Sequence, residues 1–417
     1  MSPRGNKQES QGDDDVIFFN TSTRSALNLF GDAIPLSGIP PILPKDSKIT
    51  PNYIRSQIPE RLFKRDPIKG FMHIARDLSV AALFFYGATH IELVPFVLAR
   101  YALWTLYWVC QGSVLTGVWV MAHECGHQSF SDSKALNDTV GWVLHSFLLV
   151  PYHSWRITHS NHHSNTCSME DDEVFVPSSR SDYTEMIKDT PFYNALDIAK
   201  MLLFGWPAYL AVNAAGPKKY VGKKNSHFDP QSELFETRSY VDIISSDIGF
   251  FGMVGILVLA CMKFGALNVA SYYFVPYLIV NLYLVLITYL QHTDSNVPHY
   301  RKNEFTWLRG ALSTVDRSFG WLLDDALHHI ADTHVVHHLF STMPFYNAIE
   351  ATGIVKKIIG EHYLRDNSPI PAALWRAWRS ARFVEDTGDI LFMKDAVELN
   401  KGFNKTTSNS SKSKKAQ

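Results

Sequence analysis

Four windows of mostly apolar residues interrupt an otherwise polar chain: Leu78–Val97, Tyr101–Met121, Ile248–Met262 and Leu267–Leu290. They approach the roughly 20 residues that a bilayer core requires, so each is expected to be a membrane span. The first contains His90 and Glu92 and the third is short, whereas the fourth carries no charged residue and is the strongest. Short links place the spans in two hairpins. Arg61, Lys64, Arg65, Lys69 and Arg76 precede the first span, while the links offer little beyond Arg100 and Lys263, which puts the N-terminus in the cytosol. Two hairpins then return the chain to the cytosol each time, so segments 122–247 and 291–395 share one side of the membrane with both termini. Two shorter runs, Val140–Pro151 and Leu202–Ala215, the second broken by Pro207, fit segments that lie on the membrane. Sustained period-two alternation is scarce. The predicted fold is therefore an all-α integral membrane protein: four transmembrane helices in two hairpins, beneath a cytosolic helical cap. Residues 1–50, charged and then proline-bearing, are expected to form a disordered cytosolic arm, and 396–417 a flexible tail.

Composition narrows the chemistry. With 39 Lys+Arg against 40 Asp+Glu, no net field favours a nucleic-acid partner. The four cysteines, Cys110, Cys125, Cys167 and Cys261, form no CxxC pair, which argues against both a disulfide scaffold and a thiolate zinc site. The 18 histidines are the unusual feature.

Their placement is regular. His123-Glu124-Cys125-Gly126-His127 follows the second window, His159-Ser160-Asn161-His162-His163 lies in the first cytosolic segment, and His334-Val335-Val336-His337-His338 in the second. Residues three or four apart share a helical face, so each cluster aims at least two imidazoles at one point, while an adjacent third ring is turned by about 100°. Eight imidazoles exceed what one four-coordinate zinc can use but suit two metals. His292, at the end of the fourth window as His123 is at the end of the second, is the candidate ninth ligand. The other nine, His73, His90, His145, His153, His227, His299, His328, His329 and His362, read as surface or core residues. HECGH also satisfies the HExxH pattern of zinc proteases, with Glu124 as base, but that reading leaves HSNHH and HVVHH unused. A metal transporter would need ligands within the spans, where these windows carry almost none.

The three clusters resemble the histidine boxes of the membrane fatty acid desaturases. The similarity extends through AHECGHQSFS, VPYHSWRITHSNHHSNT, DEVFVP, YLQHTDSNVPHY, WLRGALSTVDR and DTHVVHHLFSTMP, most like the oleate Δ12 (omega-6) desaturases of the fungal endoplasmic reticulum. Some plant oleate desaturases differ at Asp294 and Phe345, outside the boxes. The resemblance implies that His123, His127, His159, His162, His163, His292, His334, His337 and His338 hold two irons. It further implies that O2 and electrons from cytochrome b5 and its NADH-dependent reductase serve to remove two hydrogens from neighbouring methylenes, leaving a cis double bond. An omega-3 (Δ15) desaturase acting on linoleate and a fatty acid hydroxylase are the related alternatives. Asp172, Glu173 and Asp332 are candidates to hold ligating imidazoles from behind. Lys414-Lys415-Ala416-Gln417 looks like a retrieval signal of endoplasmic-reticulum membrane proteins.

Overall fold

The computed structural model describes residues 42–401, so most of the expected arm and tail lie outside the described residues. The described part is mainly helical. In chain order the helices are α1 (Pro51–Gln57), α2 (Pro67–Ala88), α3 (Val97–Gly126), α4 (Lys134–Phe147), α5 (Tyr152–Asn165), α6 (Pro191–Val212), α7 (Tyr240–Phe264), α8 (Ala266–Val269), α9 (Val275–His292), α10 (Trp307–Leu312), α11 (Trp321–Ala326), α12 (His334–Leu339), α13 (Ala348–Ile359) and α14 (Ile370–Ser380). Two small sheets complete the cap: β1 (Pro298–Tyr300) antiparallel to β4 (Ile390–Phe392), and β2 (Asp316–Arg317) parallel to β3 (Arg365–Asp366).

Helix boundaries follow local chemistry. The Asp66 carboxylate accepts from Ile68 N and Lys69 N, and Pro67 occupies the first turn, so α2 starts eleven residues before the apolar window Leu78–Val97. That window straddles a helix end. After Ala88 the chain turns through residues 89–96, where Glu92 accepts from Arg100 Nη1 at 2.8 Å and Trp104 Nε1 at 2.9 Å and Pro95 prevents helical continuation. The apolar residues are thus shared between α2 and the 30-residue α3.

Among the described residues, three helices are long and apolar enough to cross a membrane: Pro191–Val212, Thr237–Phe264 and Ala266–His292. The last is continuous through α8, a π-helical turn at Ala270–Phe274, and α9. The run Leu202–Ala215, expected to lie on the membrane, belongs mostly to the first of these, which Thr190 caps and Asn213 ends in the left-handed conformation.

The core centres on α3, which packs against α2, α4 and α9. Its second half, around Val118–Cys125, is buried on every side and places the HECGH segment deep inside the protein. Close approach of α3 and α9 depends on Gly112, where an added Cβ would lie 2.4 Å from the Ile279 Cβ. Substituting Gly112→Val is expected to push α9 away and to destabilise the fold by about 1–3 kcal/mol, read as a lower thermal denaturation midpoint of the detergent-solubilised protein.

Candidate metal centre

Seven of the nine candidate ligands sit at the C-terminal end of a helix, while His159 lies in the middle of α5 and His334 opens α12. His123 lies in the last turn of α3 and His127 caps it; His162 and His163 end α5; His292 is the last residue of α9; His337 and His338 end α12. Helix C-termini carry partial negative charge, so this convergence favours a cation. All nine histidines singled out in the sequence lie together, in two adjoining groups.

In the first group, His123 Nε2 lies 3.3 Å from His127 Nε2 and 2.9 Å from His159 Nε2, which is 3.2 Å from His163 Nε2. One ring nitrogen of His337 joins these four, all within 4.8 Å of one another. In the second, His292 Nε2 lies 3.3 Å from His162 Nε2 and 3.1 Å from His334 Nε2, which is 3.0 Å from His338 Nε2. Two nitrogens bound to one ion at about 2.1 Å, at tetrahedral or octahedral angles, stand about 3.0–3.4 Å apart. The observed spacings match those edges. The groups adjoin where His163 stacks on His338 with ring centroids 4.1 Å apart.

The other ring nitrogens are held from behind. His162 Nδ1 lies 2.6 Å from Asp172 Oδ1, and Asp172 Oδ2 accepts from Cys167 N at 2.6 Å. His123 Nδ1 meets Glu124 Oε1 at 3.2 Å, His338 Nδ1 meets Thr166 Oγ1 at 3.1 Å, and His334 Nδ1 meets the Ile330 carbonyl at 3.2 Å. With Nδ1 donating in each case, Nε2 presents a bare lone pair to the centre. Burial holds His127, His159, His163, His334, His337 and His338 well below the ordinary histidine range. Neutral imidazole is the ligating form. Among the described residues, the buried Nδ1 atoms of His163 and His292 and the Nε2 of His337 have no hydrogen-bond partner. The donor set therefore fits two nitrogen-ligated metals.

Asp172 thus touches a candidate ligand, whereas Glu173 accepts from Tyr220 Oη at 2.8 Å and Asp332 faces His329 Nδ1 at 3.0 Å. Thr166 and the partnership of Glu124 with His123 escaped the sequence reading; their only signal is proximity to a box. Glu124 sits behind the His123 ring, on its Nδ1 side, and also accepts from Ser129 Oγ at 2.7 Å. Facing away from the nitrogen that would hold zinc, it is badly placed to serve as a protease base.

Beside both groups lies a cavity of about 330 Å³. Its walls are apolar, including Trp119, Val120, Trp206 and Leu284, and the rings of His123, His159, His162, His292 and His334 open onto it. It extends along α3 to Thr116, seven residues before His123, a depth of about 10 Å at 1.5 Å per residue.

Comparisons with known proteins agree with this arrangement. The family model described as fatty acid desaturase matches residues 58–369. The Mortierella alpina protein named Delta(12) fatty acid desaturase is 50% identical over 359 residues, covering 82% of this chain and 89% of its own. The Brassica juncea protein named Omega-6 fatty acid desaturase, endoplasmic reticulum, is 46% identical over 335 residues, covering 80% and 86%. An Arabidopsis thaliana Delta(12)-fatty-acid desaturase is likewise 46% identical over 335 residues, with the same coverage.

Replacing Asp172 by Asn removes the carboxylate behind His162 and is expected to weaken metal retention by about 10–100-fold, measured as metal content after dialysis against graded chelator.

Proposed function

The chain belongs to the fatty acid desaturase family, and on that premise we propose that it converts oleoyl-lipid to linoleoyl-lipid by inserting a cis double bond at Δ12. The observation that carries the reading is the apolar cavity opening directly onto imidazoles of both nitrogen groups. The Δ12 position is taken from relatives of that name at 45–50% identity. We assign the ligand set to His123, His127, His159, His162, His163, His292, His334, His337 and His338, holding two irons. Bound there, the irons would supply what no side chain can, the oxidation of an unactivated C–H bond with O2 and electrons from cytochrome b5 and its reductase.

The protein's own residues supply position and dryness. Trp119, Trp206 and Leu284 exclude water and hold the acyl chain against the imidazole face. Thr116, at the deep end, limits how far the methyl end can pass the centre.

The same geometry supports four spans with cytosolic termini in the endoplasmic-reticulum membrane. His162 and His292 nitrogens 3.3 Å apart lie on one side of any bilayer, so an even number of crossings separates them. Three apolar helices lie between them, hence one does not cross. We assign that role to α6, which carries Pro207 inside it and whose apolar faces lie along α9 and the membrane. The spans are then α2, α3, α7 and the continuous helix 266–292. α3 and that helix both end in ligands, as parallel spans running toward the cytosol must.

Expression in a yeast making only monounsaturated fatty acids is expected to yield new 18:2 in chromatographed methyl esters. Production of 18:3 only on linoleate feeding would assign the omega-3 activity, and a hydroxylated ester the hydroxylase. Thr116→Phe, which fills the deep end, is expected to lower the 18:2 to 16:2 product ratio several-fold in the same assay while leaving iron content unchanged.

A further inference from the structure

The segment Ser313–Arg317, part of the WLRGALSTVDR stretch, lies outside the ligand set and yet is entirely buried. Arg317 is 1% exposed and Asp316 0%. Charged groups this deep are costly to desolvate, and a buried ion pair is weak grounds for stability, since apolar residues of similar volume often serve as well. Their partners show what the two side chains hold.

Arg317 grips the end of α9. Its Nε donates to the Leu290 carbonyl at 2.8 Å, and its Nη2 to Asp294 Oδ2 at 2.8 Å, so its two contacts bracket His292 at i−2 and i+2. Its Nη1 reaches Asp366, which Arg376 also engages. Thr314 Oγ1 and Val315 N donate to the Gln291 carbonyl at 3.2 and 3.1 Å. The carbonyls that α9 leaves unsatisfied at its end are therefore taken up by this segment.

Asp316 grips the start of α12. Its Oδ1 accepts from Val335 N at 2.8 Å, next to His334, while its Oδ2 accepts from Tyr363 Oη at 2.5 Å. The backbone between the two grips is itself fixed, since β2 pairs with β3 and Arg317 N donates to the Ala331 carbonyl at 2.9 Å. Two consecutive side chains thus clamp the helices that carry His292, His334 and His338 of the second group, and through α12 one member of the first, His337. No such bond from this segment reaches α3, among the described residues.

We propose that Asp316 and Arg317 are positioning residues that set the separation of α9 from α12 and thereby hold the second nitrogen group at metal-binding spacing, the first being reached only through His337 on α12 and not at all by the Arg317 grip on α9. The inference rests on the two-metal reading above. The planar fork of arginine suits this task, because three directed donors reach a carbonyl and two carboxylates at once, which a lysine cannot do.

The test is metal release from the purified full-length protein into excess chelator, followed by iron content and absorbance, for wild type, Arg317→Lys and Tyr363→Phe. Wild type should carry two irons. In the monodisperse, folded fraction of Arg317→Lys, one iron should leave about tenfold or more faster and the other at the wild-type rate; Tyr363→Phe should show the same asymmetry more weakly. A role confined to stability would lower the folded fraction while leaving both release rates unchanged in what remains folded, and that result overturns the proposal. Should Arg317→Lys fail to fold, the milder Tyr363→Phe decides by the same comparison. A wild-type protein holding fewer than two irons would instead overturn the two-metal reading, and the clamp with it.

Discussion

A neutral imidazole that donates from Nδ1 carries no hydrogen on Nε2, and the lone pair there is left to accept a hydrogen bond or to bind a cation. His123, His162, His334 and His338 are each in that position, with Glu124, Asp172, the Ile330 carbonyl and Thr166 as the respective Nδ1 partners. Their Nε2 atoms lie about 3 Å from other Nε2 atoms, too close for bare lone pairs to be at ease without a cation between them. Burial at His334 and His338 prevents protonation from relieving the repulsion, because an imidazolium there would be poorly solvated. The clustered nitrogens are therefore arranged as a site that fits an imported cation, among residues of α3, α5, α9 and α12.

That requirement explains why the ligands arrive from distant stretches. A single helix can offer two or three imidazoles on one face, so two multi-nitrogen groups need several helices with their ends brought level. α3 and α9 do this from within the apolar layer, held close by Gly112, while α5 and α12 approach from the cap. The cavity follows from the same packing: where α6 lies along α9 and its Trp206 meets Trp119 of α3, large aromatic side chains leave a channel that ends on the rings.

Much of this was legible in the chain itself. The clusters at helical spacing named eight of the histidines that converge, and His292 was reached by its mirrored position at the end of an apolar window. Periodicity did not reveal where the first helix ends, because the window average passed over Thr89–Pro95 and joined residues belonging to α2 and α3. The length of α6 was hidden by Pro207, which reads as a breaker but is tolerated within that helix. Asp172 stood out only as one of four consecutive acids, of which a single carboxylate turns inward to a candidate ligand; nothing local separates it from its neighbours. The contacts of Asp316 and Arg317 depend on residues up to about fifty positions away and have no periodic signature at all.

The cavity floor and the nitrogens above it are borne by the same rigid rods. Thr116 and His123 share α3, and Leu284 and His292 share α9, with no loop between either pair. Adding one residue to such a stretch would swing the floor about 100° around the axis instead of lowering it by 1.5 Å. Evolution of a different reach along the hydrocarbon is thus closed to insertions and deletions here, and open only to exchanges of side-chain bulk, one methyl group at a time.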